Sequence, residues 1–337
     1  MFIPLQPTER DRPFLHLLQA AAAELGAEVH VEPRFRHVGQ IQLGAQRKLF
    51  FGNALSLNGD ASATLAADKT YTAELLAGAG LPTPRGCLTV SPRFRETLAL
   101  KSPTAAAALP DPDAVFRFVE KVGYPVFVKP NRGTEGSDVS QADTVDTLQT
   151  DLERLFSHTS HARVEAFVPG QDYRVLVLNG VVRAVYRRDP LHITGDGQTP
   201  IRSLIDLALA RLARGPRLSV DDPRILRCVA AAGYTTGDRL PKGQKVALLP
   251  NANLSTGGSL TDMTGRLPAT FGAMAVQAAE HLGLRLAGVD LIAEDMAAPT
   301  ILEVNSAPGF DFYARSSPTA WNIARQILVD ALQTGEP

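Results

Sequence analysis

Between residues 16 and 25 apolar side chains recur at helical spacing, and Gly26 follows where a helix stop belongs. Residues 28–31, 39–43 and 48–51 read as short strands, so the start of the chain predicts a small α/β unit. Residues 68–79 carry a second helical pattern that ends at Gly80, and the turn Leu81-Pro82-Thr83-Pro84 follows. The run 105–112, alanines and then Pro110 and Pro112, reads as a loop leading into a helix around 113–122. Residues 124–130 form a short apolar strand stopped by Pro130, with a glycine-bearing turn over 131–137 behind it. Residues 173–178 and 181–186 are mainly apolar runs on either side of Asn179-Gly180, a strong hairpin signal. Pro268 opens a helix whose apolar positions Phe271, Met274, Ala278 and Leu282 share one face, and Gly283 ends it. Two strands, 287–293 and 300–305, come last. Hairpins mixed with helices predict α+β units around antiparallel sheets rather than a regular doubly wound sheet.

Composition narrows the picture. A chain of 337 residues, 45% hydrophobic, is long enough for two or three structural units with sizeable cores. Lys plus Arg number 34 against 35 for Asp plus Glu, so no global field gathers nucleic acid or an anionic membrane. Any bound anion must therefore be held by a local site. No apolar stretch approaches the roughly 20 residues needed to span a bilayer, and Met1-Phe2-Ile3-Pro4-Leu5 lacks the pattern of a secretion signal. Two cysteines, Cys87 and Cys228, are too few for a disulfide framework or a thiolate metal site. The expectation is a soluble, cytoplasmic protein.

Familiar phosphate-loop, dinucleotide, zinc-helix and serine-nucleophile motifs are absent. Three clusters remain. Lys129 leaves an apolar strand beside Gly133 and Gly136, an arrangement suited to phosphate oxygens, although an ordinary strand–turn with a solvated lysine fits the same residues. In the hairpin, a two-residue turn sets Asp172, Arg174, Arg183 and Arg187 on one face and Arg188 on the other, unless a bulge shifts it. That face is either a binding surface or a solvated sheet surface. Finally, Glu303 and Asn305 project to one side of the last strand, and Asp290 lies in the apolar strand before it. Two carboxylates and an amide are hard oxygen ligands that suit Mg²⁺ beside nucleotide phosphates, while salt-bridged strand ends are the plainer alternative.

In order, these clusters resemble the ATP-grasp superfamily of carboxylate–amine ligases, with the likeness centred on the ATP-grasp part of cyanophycin synthetases and of bifunctional glutathione synthetases. It runs from Ala66-Ala67-Asp68-Lys69 to Asn305-Ser306-Ala307-Pro308-Gly309-Phe310. Asn253 with Leu254-Ser255-Thr256-Gly257-Gly258 is similar to the family's N-x-S-T-G-G segment, and Thr194-Gly195-Asp196-Gly197 with Ile201-Arg202-Ser203-Leu204-Ile205 to its G-D-G…I-R-x-L-I stretch. The resemblance implies an ATP-grasp fold, two α+β subdomains clasping ATP behind a short α/β N-terminal unit. The expected spans are 1–65 for that unit, 66–164 for the first subdomain, and 165–330 for the second, with an insertion at about 195–262.

The resemblance also implies roles. Lys69 and Lys129 would hold ATP phosphates, with the loop of Gly133, Gly136 and Ser137 folding over them. Glu165, Phe167 and Val168 would border the adenine, and Asp172 would take the ribose hydroxyls. Arg188 matches the family arginine near the transferred phosphate, whereas the hairpin count favours Arg187 beside Arg174, so all three are candidate catalytic residues. Asp290, Glu303 and Asn305 fall on the magnesium ligands, with two ions expected. Asn253, Ser255, Thr256, Gly257, Gly258, Ser306 and Gly309 fall where the family holds its acyl substrate. Two departures stand out: Asp138 replaces a usual loop glycine, and neither the Mur-ligase-like half of cyanophycin synthetases nor the glutamate–cysteine ligase half of the glutathione enzymes is present. Cyanophycin itself is therefore not the expected product. The implied activity is amide or peptide bond formation through an acylphosphate on an amino acid or small peptide, releasing ADP and phosphate. Implied partners are small carboxylate and amine substrates, with no nucleic acid and no membrane, and with room for a homodimer. An acid–thiol ligase, a small-molecule kinase on the same scaffold, and a non-catalytic ATP-binding protein are the alternatives.

Overall fold

The structure is a computed structural model that describes residues 2–133, 138–212 and 218–335. The chain divides into two compact units, each assembled from separated stretches. The first comprises Met1–Thr83, Tyr173–Arg187 and Leu260–Pro337; the second comprises Pro84–Asp172 and Arg188–Ser259. Among the described residues, no helix is long and apolar enough to cross a membrane.

The first unit opens with a five-stranded antiparallel sheet ordered Ile3–Pro4, Glu28–Val31, Val38–Leu43, Gln46–Phe51, Ala54–Leu55. Helix Pro13–Leu25 buries Phe14, Leu15, Leu17 and Leu18 in this part of the unit, and the long helix Pro318–Gln333 packs beside it. Lys48 is buried in the sheet because its ammonium reaches the Thr334 carbonyl at the end of that long helix, where the helix dipole favours a cation.

A second sheet is ordered Ser259–Asp262, Val181–Asp189, Gln171–Leu178, Leu286–Ala293, Thr300–Asn305. Tyr173, Val175, Val177, Val289, Leu291 and Val304 turn one face of it into a core with Leu76 and with Phe271, Ala275, Ala278 and Leu282. The expected stripe on helix Ala269–His281 therefore faces that core, with Met274 at its margin. Asn179 and Gly180 take positive φ of 50° and 74°, the twist a two-residue hairpin turn requires. Asn58 ties the strands to the rest of the unit. Its side chain accepts from the Arg285 and Leu286 N–H groups and donates to the Leu286 and Ser306 carbonyls.

The second unit contains a four-stranded antiparallel sheet ordered Gly86–Val90, His161–Ala166, Val126–Pro130, Ser140–Ala142. Val126, Val128 and Val164 meet Val115 and Val119 of helix Ala114–Val122 and Leu148, Leu152 and Leu155 of helix Val145–Phe156. The expected loop over 105–112 begins as helix, Pro103–Ala107, because Ser102 caps the Ala105 N–H, proline sits in the first turn and alanine favours helix most. The insertion has its own core, in which Ile193, Ile201, Ile205, Ile225, Val229, Leu240 and Leu248 meet. It is anchored on helix Val145–Phe156 by Arg227, which donates to the buried Asp151 at 3.0 Å.

Candidate active site

Each unit carries a cluster of charged side chains on its sheet. In the second unit, Lys129 ends the apolar strand Val126–Pro130 and stands in register with Arg163 of His161–Ala166. Its ammonium lies 2.5 Å from Glu165 Oε2, and Arg163 Nε donates to Glu165 Oε1, also at 2.5 Å. Arg163 Nη2 donates to the Pro84 carbonyl at 3.2 Å. Gly86 pairs with Glu165 across the ladder, and a Cβ there would stand 2.5 Å from the Arg163 guanidinium carbon; only glycine leaves room for it. Two cations thus share one carboxylate in a buried setting.

Beyond this strand, Phe167 is 43% exposed and stacks on Phe127 with ring centroids 6.0 Å apart, while Val168 is half-buried. An exposed aromatic face beside a charged pocket is suited to a purine ring. Asp172 Oδ1 accepts from Arg188 Nε at 2.6 Å, so Arg188 reaches this carboxylate. The strand explains why. Val182 and Val185 both pack against the same core, although residues three apart in a regular strand face opposite sides. The alternation slips between them, and the simple count that favoured Arg187 no longer applies beyond that point. Arg187 is half-buried.

The N-x-S-T-G-G segment forms the short helix Leu254–Thr256, capped by Asn253 Oδ1 on the Ser255 N–H. Thr256 is buried and donates to the Asn253 carbonyl. Ser255 Oγ is buried with no hydrogen-bond partner among the described residues, a polar atom available to a ligand. Gly257 closes the short helix in a left-handed conformation. Gly258 is pressed between two backbones, since a Cβ would meet the Asn253 and Asp189 carbonyls at 2.8 Å. Gly133 is described, whereas Gly136 and Ser137 lie outside the described residues. Asp138, in place of the usual glycine, takes the φ of 59° that a glycine would, and its carboxylate accepts from Arg154 at 3.0 Å.

The first unit carries the acidic cluster. Asp290 and Glu303 are direct partners across the antiparallel pair Leu286–Ala293 and Thr300–Asn305, and Asn305 stands two positions beyond Glu303 on the same side. Asp290 is 1% exposed and takes both Nε and Nη2 of Arg174, the latter at 2.8 Å. Glu303 Oε2 is 3.8 Å from Lys69 Nζ at the start of helix Lys69–Gly78, and its Oε1 accepts from Asn305 Nδ2 at 3.2 Å. Ser306 and Gly309 follow; the Ser306 carbonyl is held by Asn58 and Gly309 approaches the Asn53 amide. Among the described residues no three His, Cys, Asp or Glu side chains gather into a metal cluster. The set is instead two carboxylates and an amide, hard oxygen donors whose present counter-charges are Arg174 and Lys69. That donor chemistry fits Mg²⁺.

The sequence reading missed Arg163 and its glycine. The available signal was two charges two positions apart, Arg163 and Glu165, in an otherwise apolar strand.

Comparison with known proteins accords with this geometry. A family model described as the C-terminus of D-ala D-ala ligase matches residues 104–192, and one described as a RimK-like ATP-grasp domain matches 251–331. A cyanophycin synthetase of Crocosphaera subtropica is 31% identical over 356 residues, covering 96% of this chain and 38% of that protein. The glutathione biosynthesis bifunctional protein of Streptococcus thermophilus is 31% identical over 239 residues, 68% of this chain and 29% of that protein. The chain thus spans roughly a third of the length of these curated relatives. Among solved structures, the bifunctional glutathione synthetase of Pasteurella multocida matches with a TM-score of 0.54 at 21% identity, over 93% of this chain and 44% of that one. The D-alanine–D-alanine ligase of Bacillus anthracis matches with a TM-score of 0.51 at 16% identity, over 82% of this chain and 69% of that one. Those two likenesses establish the fold. Together with the two family matches and the sequence relatives, they mean that the chain belongs to the ATP-grasp superfamily.

Proposed function

We propose that this chain is an ATP-dependent carboxylate–amine ligase that joins an amino acid or small peptide to an amine. The observation that carries the reading is the cross-strand pair Asp290 and Glu303 with Asn305 beside it, held in a buried sheet by Arg174 and Lys69. A fold alone needs no such concentration of charge: Asp290 is 1% exposed, and a buried carboxylate is costly to keep. The relatives are named for cyanophycin and glutathione synthesis, which supports amide formation as the reaction class.

In the proposed reaction a substrate carboxylate oxygen attacks the γ-phosphorus of ATP, and the bond to the bridging oxygen breaks to release ADP. The acylphosphate carbon is then attacked by an amine, which loses a proton as phosphate departs with the oxygen it received. Lys129 and Lys69 bind phosphate oxygens, and Arg174, Arg187 and Arg188 stabilise charge on the transferred group. Glu165, Phe167 and Val168 border the adenine and Asp172 takes the ribose. Asn253, Ser255 to Gly258, Ser306 and Gly309 orient the acyl substrate, and exclusion of water there preserves the acylphosphate. Magnesium, held by Asp290, Glu303 and Asn305, would supply neutralisation of phosphoryl charge. Small-molecule substrates and a cytoplasmic site of action complete the reading.

The test is a screen of amino acids and dipeptides, singly and in pairs, for ADP release, followed by mass determination of the product. A pair that releases ADP and gains the mass of an amide supports ligation. A phosphorylated product, or no ADP release with any acid, contradicts it.

A further inference from the structure

Arg163 and Glu165 sit two positions apart on one strand and face the same side, with Lys129 on the neighbouring strand. All three are deeply buried, at 3%, 4% and 8% exposure respectively. Each Glu165 oxygen is taken by a different cation, Oε2 by Lys129 and Oε1 by Arg163. The guanidinium is fixed from its far side by the Pro84 carbonyl, and Gly86 supplies the space in which it lies. The trio carries one more positive than negative charge where uncompensated charge is costly.

We propose that Arg163 is a positioning residue for the Lys129 ammonium, acting through Glu165 to leave the trio one positive charge that a nucleotide phosphate completes. The inference rests on the reading of Lys129 as a phosphate ligand. A Lys129–Glu165 pair alone would be neutral, and a phosphate would have to compete with the carboxylate for the ammonium. Arg163 draws off the second carboxylate oxygen and returns the missing charge. Its planar fork serves the carboxylate and the Pro84 carbonyl together, so both Glu165 and the strand edge are held in one geometry.

The test is calorimetric titration with ADP and with a non-hydrolysable ATP analogue, in magnesium, on the whole chain and on a set of variants. Arg163→Met is expected to weaken nucleotide binding by about tenfold or more, the scale of a hydrogen bond to a charged group. Arg163→Lys, which keeps the charge but not the planar fork, should lose less affinity than Arg163→Met. Adding Glu165→Gln to Arg163→Met restores the excess positive charge, and titration with inorganic triphosphate, which has no adenine for Glu165 to border, should recover much of the lost affinity. A merely structural arginine would make the double variant bind more weakly than the single one, and that outcome overturns the proposal. If Arg163→Met fails to fold, Gly86→Ala takes its place by pushing the guanidinium aside; it should bind more weakly than Arg163→Lys, and the reverse order contradicts the proposal. Lys129→Met separates the two levels. If it keeps full affinity, the phosphate role of Lys129 falls. If it loses affinity while Arg163→Met does not, only the positioning role falls.

Discussion

Glu165 and Asp290 are both nearly inaccessible, at 4% and 1% exposure, and each is held by an arginine from its own unit. What surrounds them differs. Glu165 faces two cations, Arg163 and Lys129, so its cluster is left cation-rich. Asp290 is gripped by both arms of Arg174, and among the described residues its cross-strand partner Glu303 has the more distant Lys69, at 3.8 Å, and the Asn305 amide. A cation-rich cluster is complemented by an anion, whereas opposed carboxylates with a loosely held member are complemented by a cation. The two clusters thus differ in how their charges are held: Glu165 is enclosed by two close cations, whereas Glu303, with its side chain 28% exposed, keeps its only cation recorded among the described residues at 3.8 Å.

The largest effect that would break this comparison is at Glu303. Because Lys69 holds it loosely, Glu303→Ala should leave the protein folded, as judged by circular dichroism and melting. Substrate-dependent ADP release should fall by about a thousandfold, the scale of losing a ligand to catalytic charge. Wild-type turnover in that variant would refute the metal assignment. Asp290 should behave differently. Asp290→Ala removes the carboxylate that the buried Arg174 grips, and breaking a buried pair in this way costs about 3–5 kcal/mol. The measurement is a denaturant titration, and an unchanged midpoint would show that Arg174 does not depend on Asp290.

The contrast between these acids was partly legible in the sequence. Lys129 could be found because a lysine closing an apolar strand before glycines is conspicuous. Asp290 and Glu303 could be found because acids interrupt strands that are otherwise apolar. The Asn-Gly hairpin was legible because both turn residues need positive φ, which the structure has. The face of Arg187 against Arg188 was not legible, since it depends on a slip in alternation between Val182 and Val185 that no local pattern signals. Arg163 was hidden for another reason. Its place depends on Gly86, a residue 77 positions earlier that meets it only through strand pairing. Asn58 bridges to residues 285, 286 and 306 in the same non-local way. Short-range spacing predicts elements and their faces; it does not predict which buried charges meet.

A third carboxylate sharpens the comparison with the smallest effect. Asp311 is different: burial pushes its pKa above the usual carboxylate range, against the pull of Arg12, the Phe14 N–H and Arg315, and its Oδ1 finds no partner among the described residues. A raised folded-state pKa means that its favourable contribution is present below the unfolded value of about 3.9 and is lost as pH rises through the folded value. Ionised Asp311 therefore costs stability at neutral pH. Asp311→Asn should raise the melting temperature at pH ~7 by a few degrees, with the gain shrinking toward pH ~4. A gain that grows on acidification would contradict the sign.

The most direct test of acyl activation follows a single oxygen atom. With a substrate whose carboxylate carries isotopically heavy oxygen, transfer to the γ-phosphorus followed by amine attack leaves one heavy oxygen in the released phosphate and one in the amide. Mass spectrometry of the phosphate should find that transfer in step with ADP release. Phosphate released without the label, while product still forms, would contradict the acylphosphate and with it the proposed chemistry of the site.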